Sequence, residues 1–390
     1  MEKTMIKIKL MNKIAAVGTD VFDKAVYEVS DDVLAPDAIM VRSAALHDMT
    51  FNPELLAIAR AGAGVNNIPV EECAKQGIVV FNTPGANANG VKELAICALI
   101  LAARDVVGGI EWVKTLKGTE GVAKAVEAGK GAYVGNELIG KKLGVIGLGA
   151  IGGMVANAAN ALGMVVMGCD PYITPAAAWH LAPAIEQAAS YEEIFKTCDY
   201  ITLHVPATAQ TKNMISEKTL SMMKDGVRII NLARAELVNA EDMKKALESK
   251  KVAKYVTDFP TDETVGVDGI INIPHLGAST NESEDHCAVM AAKQLDEYLT
   301  NGNIKNSVNY PNVAIPHTAS ARVCVMHKNI PNMLSQITAA FASVNVNIEN
   351  LANGSKGDAA YTIVETNEKV SEDVVSTVMN IDGVIKVNCY

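Results

Sequence analysis

Apolar residues recur along this chain in short blocks separated by polar turns and by helix-period stretches. Lys13-Ile-Ala-Ala-Val17, Ala38-Ile-Met-Val-Arg42 and Gly77-Ile-Val-Val-Phe81 are such blocks in the first ninety residues. Their near-continuous, β-branched character predicts strands buried on both faces, as in a parallel sheet. A second series begins at Leu143-Gly-Val-Ile. It continues through Met164-Val-Val-Met-Gly-Cys169, Tyr200-Ile-Thr-Leu-His204, Val227-Arg-Ile-Ile-Asn-Leu232, Val252 to Asp258, and Gly269 to His275. Val91 to Arg104 has a helical apolar period, and Asn281 to Thr300 reads as a helix. The Gly/Ala/Lys-rich stretch 118–137 predicts a loop. An Asn- and Pro-rich linker, Asn301 to His317, leads to a different pattern. Strand 321–327, helix 331–343, two strands (the second 359–365), helix 371–380 and strand 383–390 make a βαββαβ order. The expected fold class is α/β, with two Rossmann-like doubly wound parallel-sheet domains and a C-terminal ferredoxin-like domain.

Composition narrows what such a chain can do. With 390 residues, 49% of them hydrophobic, it can bury two or three cores, yet no apolar run reaches membrane-spanning length. A formal net charge of −10 argues against nucleic acid or an anionic membrane as partner. The seven cysteines are dispersed, with no Cys-x-x-Cys, so no metal site is expected and reduced thiols are. The opening Met1-Glu-Lys-Thr-Met-Ile-Lys-Ile-Lys-Leu10 lacks a signal-peptide layout. Both features predict a cytoplasmic location.

The most informative stretch is Leu143-Gly-Val-Ile-Gly-Leu-Gly-Ala-Ile-Gly152, followed by an Ala-rich helical pattern and a strand ending at Asp170. Strand, Gly-x-Gly-x-x-Gly turn, helix, strand and acid together form a dinucleotide fingerprint. Gly147 permits the tight turn, Gly149 the approach of a pyrophosphate, and Gly152 close packing of helix on strand. The helix N-terminus, with the Ala150 and Ile151 amides, faces the phosphates. Asp170, 18 residues beyond Gly152, can accept from a ribose diol and would repel a 2′-phosphate, which favours NAD over NADP.

Four chemically capable residues stand where strands of that unit run into loops: Arg234, Asp258, Glu263 and His275. Ligands of open parallel sheets bind at these carboxyl ends. An arginine fork can hold a carboxylate, a histidine can take a hydroxyl proton, and an acid can orient the imidazole. This set suits hydride transfer at a 2-hydroxy acid.

Beyond these, Val41-Arg-Ser-Ala44, Arg60-Ala-Gly-Ala-Gly-Val-Asn-Asn-Ile68, Asn82-Thr-Pro-Gly-Ala-Asn87 with Glu93, His204-Val-Pro206, Asn231-Leu-Ala-Arg234 and Pro274-His-Leu-Gly-Ala-Ser-Thr280 follow in order. In this series the chain resembles the D-isomer-specific 2-hydroxyacid dehydrogenases, and within them the phosphoglycerate dehydrogenases, over nearly its whole length. The resemblance implies a discontinuous substrate-binding domain (1–90 and 285–310) and an inserted NAD-binding domain (91–284). It makes Arg234, Glu263 and His275 the catalytic arginine, acid and base. Arg60 would bind a substrate phosphate, with Ser43, Gly62 and Gly64 lining the substrate end. Asp258, Gly277 and the Ala233 backbone would sit near the nicotinamide, and His204, Val205 and Pro206 near the adenine. Three departures stand out. Ala150 replaces a common arginine, Ala235 replaces a usual glycine, and the segment from Asp258 to His275 is short, so that either Glu263 or Asp262 can occupy the acid position.

Residues 319–390 resemble an ACT domain, a small regulatory amino-acid-binding module. His327, Asn329 and Asn347 match positions that bind L-serine between two subunits of serine-inhibited relatives, which implies a homodimer or homotetramer. Asn332 stands where the family pattern has glycine, and asparagine tolerates left-handed backbone best among the other residues. The resemblance thus implies oxidation of phosphoglycerate with NAD, opening serine synthesis under serine inhibition. Another D-2-hydroxyacid dehydrogenase, such as one for 2-hydroxyglutarate, stays open, as does a non-catalytic NAD-sensing protein.

Overall fold

A computed structural model describes residues 5–390. The first four residues, part of the segment read as lacking a leader, lie outside the described residues. The chain divides into two units, one of residues 1–87 with 284–390 and one of residues 88–283.

The second unit is built on a seven-stranded sheet of β6 (Lys142–Ile146), β7 (Val165–Cys169), β8 (Glu186–Gln187), β9 (Tyr200–Leu203), β10 (Val227–Asn231), β11 (Val252–Thr257) and β12 (Ile270–Asn272). Every pairing is parallel, in the order β12-β11-β10-β9-β6-β7-β8. The order reverses between β6 and β9, and a doubly wound sheet opens a crevice at such a point. The strand interiors are wholly buried: Val145, Ile146, Ile201, Leu203, Ile229 and Ile230 are each 0% exposed. They are covered on one side by the helices Ala88–Ala103 and Ala150–Ala161, whose alanines let backbones approach closely. The other side carries Ile194, Phe195, Leu220, Met243 and Leu247. Each large aliphatic side chain buried in this way contributes about 1.5–3 kcal/mol.

The first unit holds a five-stranded parallel sheet of β1 (Ile6–Met11), β2 (Tyr27–Ser30), β3 (Ala38–Val41), β4 (Ala57–Arg60) and β5 (Val79–Phe81), in the order β2-β1-β3-β4-β5. It also holds a four-stranded antiparallel sheet of β13 (Ala321–Lys328), β14 (Asn350–Lys356), β15 (Ala359–Thr366) and β16 (Val384–Cys389), ordered β14-β15-β13-β16. With the helices Met333–Ser343 and Glu372–Met379 this is the ferredoxin-like βαββαβ arrangement.

The inner strands β13 and β15 of the antiparallel sheet are buried on both faces, whereas β14 is largely exposed. Val323, Val325 and Val364 meet its own helices through Ile337, Phe341, Val374 and Val378. Cys324, Met326, Tyr361 and Ile363 join one core with Ile8, Met40, Phe81, Leu295 and Tyr298. Residues 319–390 therefore share a core with the five-stranded sheet's unit. A buried ion pair pins the linker here. Arg322, 0% exposed, donates to Glu365 (2.6 Å), to the Asn301 and Ile315 carbonyls and to Asn303 Oδ1. Lys386 Nζ grips the carbonyls of Pro53 and Leu55 at 3.2 and 2.8 Å.

Two local expectations change. The first strand is Ile6–Met11, whereas Lys13–Val17 runs into the short helix Ala16–Thr19. Asn12, at φ 74°, ends the strand in a left-handed turn, so the alternating Ile-Lys pattern supplies the strand in place of the apolar run after it. The stretch 118–137 is largely helical, with Val122–Gly129 and a 3₁₀ turn Lys130–Tyr133. Its Ala, Lys and Glu content favours helix once left-handed Gly121 has turned the chain. Asn332 takes φ 69° at the head of the helix Met333–Ser343, the conformation glycine would otherwise supply.

Candidate active site

The glycine turn joins β6 to the helix Ala150–Ala161. Gly147 has φ 89°, which a side chain would strain, and a Cβ on Gly152 would strike the Gly147 carbonyl oxygen. Gly149 faces open space, with no heavy atom within 4 Å of where its Cβ would be. Backbone N–H groups at the helix start are thus exposed to an approaching anion. Asp170, just after β7, accepts from the Leu148 N–H through Oδ2 and from the Tyr172 N–H through Oδ1, both at 2.9 Å. It braces the glycine turn, a role its spacing did not reveal, and its remaining lone pairs can still meet a diol. His204 follows β9 beside the turn; its N–H bonds the Ile146 carbonyl and its Nε2 meets Thr202 Oγ1 at 3.0 Å. Burial pushes the His204 imidazole down to about 4, so it is neutral at pH 7. Val205 and Pro206 continue its loop.

At the ends of β10, β11 and β12 the reactive side chains gather. Asn231, 0% exposed, organises the first loop. Its Oδ1 accepts from the Ala233 and Arg234 N–H groups at 3.2 and 3.3 Å, and its Nδ2 donates to the Arg234 carbonyl at 2.8 Å. Tyr255 Oη lies 3.2 Å from the same amide nitrogen. Arg234 Nη1 donates to the Ala233 carbonyl at 2.7 Å, and Ala235 opens a 3₁₀ turn. Asp258, 1% exposed, has its Oδ2 against Gly277, whereas its Oδ1 is buried with no hydrogen-bond partner. Burial raises its carboxyl above the ordinary value; His275, the Gly277 N–H and Arg234 pull the other way without cancelling it. Phe259 contacts both Arg234 and His275. Its ring is 4.6 Å from the His275 ring, and the Arg234 guanidinium carbon is 5.8 Å from its centroid.

Of the two acids between which the short segment left the choice open, Glu263 Oε2 accepts from Thr261 Oγ1 at 3.1 Å. Glu263 lines a cavity of about 330 Å³ with Glu236, Asn239, Tyr255 and Phe259. Asp262 is exposed. No described hydrogen bond joins either acid to His275.

In the first unit, Arg60 at the end of β4 curls over the following loop. Its Nε donates to the Arg42 carbonyl at 2.9 Å, and its guanidinium lies against Gly62 and Gly64. Burial lowers its pKa. Asn82 Nδ2 ties the Ala63 carbonyl at 2.6 Å, and Asn12 Oδ1 accepts from the Ser43 and Ala44 N–H groups at 3.1 and 2.6 Å. In the antiparallel module His327 is 3% exposed, with Nδ1 at the Lys328 carbonyl and Nε2 at Thr362 Oγ1. Asn329 donates to the Gly357 carbonyl and Asn347 to Glu349. No described hydrogen bond joins Asn347 to His327 or Asn329.

Sequence reading passed over Asn231, Phe259 and Asn12 as site-building residues. Asn231 opens the Asn231-Leu-Ala-Arg234 motif and Phe259 follows Asp258, but only the tertiary contacts give them work.

Residues 98–279 match the family model "D-isomer specific 2-hydroxyacid dehydrogenase, NAD binding domain". The Escherichia coli D-3-phosphoglycerate dehydrogenase is 31% identical over 351 residues, 85% of this chain and 81% of that protein. The chain belongs to the D-isomer-specific 2-hydroxyacid dehydrogenase family. The D-3-phosphoglycerate dehydrogenase of Synechocystis is 32% identical over 327 residues, 79% of this chain. This chain spans little more than half of that relative, 57% of its length. Among solved structures, NAD+-bound 3-phosphoglycerate dehydrogenase of Entamoeba histolytica is 28% identical, with TM-score 0.59 over 78% of this chain and 99% of that one. The cofactor of this domain is NAD. The open cradle at Gly149, the Asp170 carboxylate and the unpartnered Asp258 oxygen are the kind of groups its pyrophosphate, ribose and carboxamide require. Among the described residues no helix is long and apolar enough to cross a membrane.

Proposed function

We propose that the protein is an NAD-dependent D-3-phosphoglycerate dehydrogenase, forming 3-phosphohydroxypyruvate at the entry to L-serine synthesis. The observation that carries this reading is the cluster of Arg234, Asp258 and His275 at the carboxyl ends of β10 to β12. The names of the relatives give the substrate class, and the Arg60 loop suits its phosphate. NAD, when bound, accepts the hydride. Arg234 holds the substrate carboxylate in a charge-assisted fork. His275 takes the hydroxyl proton, with Glu263 or Asp262 as the acid that orients it. Arg60, over its Gly-x-Gly loop, takes the phosphate. We assign residues 1–90 and 285–310 to the substrate, 91–284 to NAD and 319–390 to regulation by L-serine through His327, Asn329 and Asn347.

We also infer a homo-oligomer in the cytoplasm. The exposed apolar side of the helix Val106–Thr115, where Val107 is 40% and Ile110 52% exposed, supports assembly, and seven unpaired cysteines suit a reducing compartment. The test is a panel of 2-hydroxy acids with NAD and with NADP, with and without L-serine, read as NADH absorbance. Turnover of 3-phosphoglycerate with NAD above all other pairs is expected. No NADH from 3-phosphoglycerate, and none consumed with phosphohydroxypyruvate, overturns the reading.

A further inference from the structure

The chemistry assigned to Arg234 and His275 needs both groups held in fixed orientation, yet hydrogen bonding fixes neither well. Arg234 has one side-chain hydrogen bond, to its own neighbour's carbonyl, and no described hydrogen bond holds the His275 ring. What both share is one aromatic ring. Phe259 contacts His275 at 4.6 Å between centroids, tilted by 48°, and takes the Arg234 guanidinium at 5.8 Å. The latter is within reach of a cation–π contact.

The backbone under Phe259 is itself constrained. Its N–H donates to Thr257 Oγ1 at 3.1 Å, Thr257 is 1% exposed, and Pro260 bars Phe259 from helical geometry. The ring, on this constrained backbone, is thus a shared apolar contact for the Arg234 guanidinium and the His275 imidazole. A guanidinium over a ring face keeps its N–H edge free for a carboxylate. An imidazole packed against the same ring loses rotational freedom and some of its water.

We propose that Phe259 is a positioning residue that holds Arg234 and His275 in register for the substrate. This rests on the dehydrogenase reading above. Phe259→Leu removes the π face but keeps an apolar side chain; Phe259→Tyr keeps the ring. Steady-state kinetics with saturating NAD should show the Leu variant with raised KM for the hydroxy acid and lowered kcat. The combined loss in kcat/KM should be about tenfold, with KM for NAD unchanged. The Tyr variant should restore both constants.

A second measurement needs no turnover. In histidine-labelled protein, the His275 ring protons, assigned with His275→Gln, should carry a ring-current shift in the parent and the Tyr variant and lose it in the Leu variant. Where Phe259→Leu fails to fold, Phe259→Met takes its place in both measurements. Unchanged kinetics in the Leu variant overturn the proposal. So does a loss that includes NAD binding, or an absent ring-current shift in the parent. A parent that turns over no 2-hydroxy acid sinks the dehydrogenase reading instead, and the resonance measurement still decides whether Phe259 orders His275.

Discussion

Two places in this molecule set an arginine beside a buried carboxylate, and they are built on opposite rules. In the antiparallel sheet, Arg322 and Glu365 are both 0% exposed, and the bonds to Asn301, Asn303, Ile315 and Asn350 occupy the rest of their capacity. Burial alone would raise the Glu365 carboxyl, but the Arg322 and Asn350 bonds outweigh it and hold it below the ordinary value. At the ends of β10 to β12, Asp258 is as deeply buried, yet one of its oxygens has no partner and its pKa is raised. The Arg234 guanidinium has one side-chain hydrogen bond, to a neighbouring carbonyl. A saturated network fixes structure. An unsaturated one keeps donors and acceptors available for a ligand, and the fold tolerates its cost.

The contrast can be broken by exchanging the consequences. The largest effect is expected at the unsaturated site: Arg234→Gln should lower kcat/KM by about a thousandfold, the scale of a lost charge-assisted substrate contact. Its thermal midpoint should stay near the parent's. A large fall in stability would place Arg234 with Arg322.

At the saturated site, Arg322→Met should destabilise folding by about 3–5 kcal/mol, because it strands Glu365. Chemical denaturation measures this, and kcat per folded enzyme should be kept. Adding Glu365→Leu should restore much of the loss.

Arg60→Ala should raise KM for a phosphorylated hydroxy acid about tenfold or more, the scale of a charge-assisted contact, and leave an unphosphorylated one nearly unchanged. Equal effects on both substrates would remove Arg60 from the phosphate site.

The smallest effect concerns pH. The depressed pKa of His204 means the unfolded chain binds its proton first. Its contribution to stability is present above pH 6.5 and lost as pH falls toward about 4. His204→Gln should flatten denaturation midpoints across that window. An unchanged slope would assign the acid sensitivity in that window to other groups; Glu365, whose carboxyl is held below its ordinary value of 4.5, loses its contribution only at lower pH.

The glycine turn and the placement of Asp170, Arg234 and His275 just after strands were legible in the order of residues, since each depends on local geometry at a strand end. Most strands and both helices of the antiparallel module were legible too, because buried parallel strands and amphipathic helices write their periods directly. Lys13–Val17 and 118–137 misled. In the first, a left-handed Asn12 displaced the strand; in the second, helix propensity outweighed a glycine-rich composition.

The linear pattern by itself determined the fold class, the family and the dinucleotide turn, because these rest on short-range spacing and backbone sterics. Tertiary structure alone decided three things. Phe259 came into contact with both Arg234 and His275, Asn231 became the scaffold of the Arg234 loop, and the C-terminal sheet merged its core with that of the five-stranded sheet. Each depends on contacts between residues distant in sequence or on the direction of a side chain. Which partner satisfies a buried polar group, and which group is left free, is settled only when the chain has closed around it.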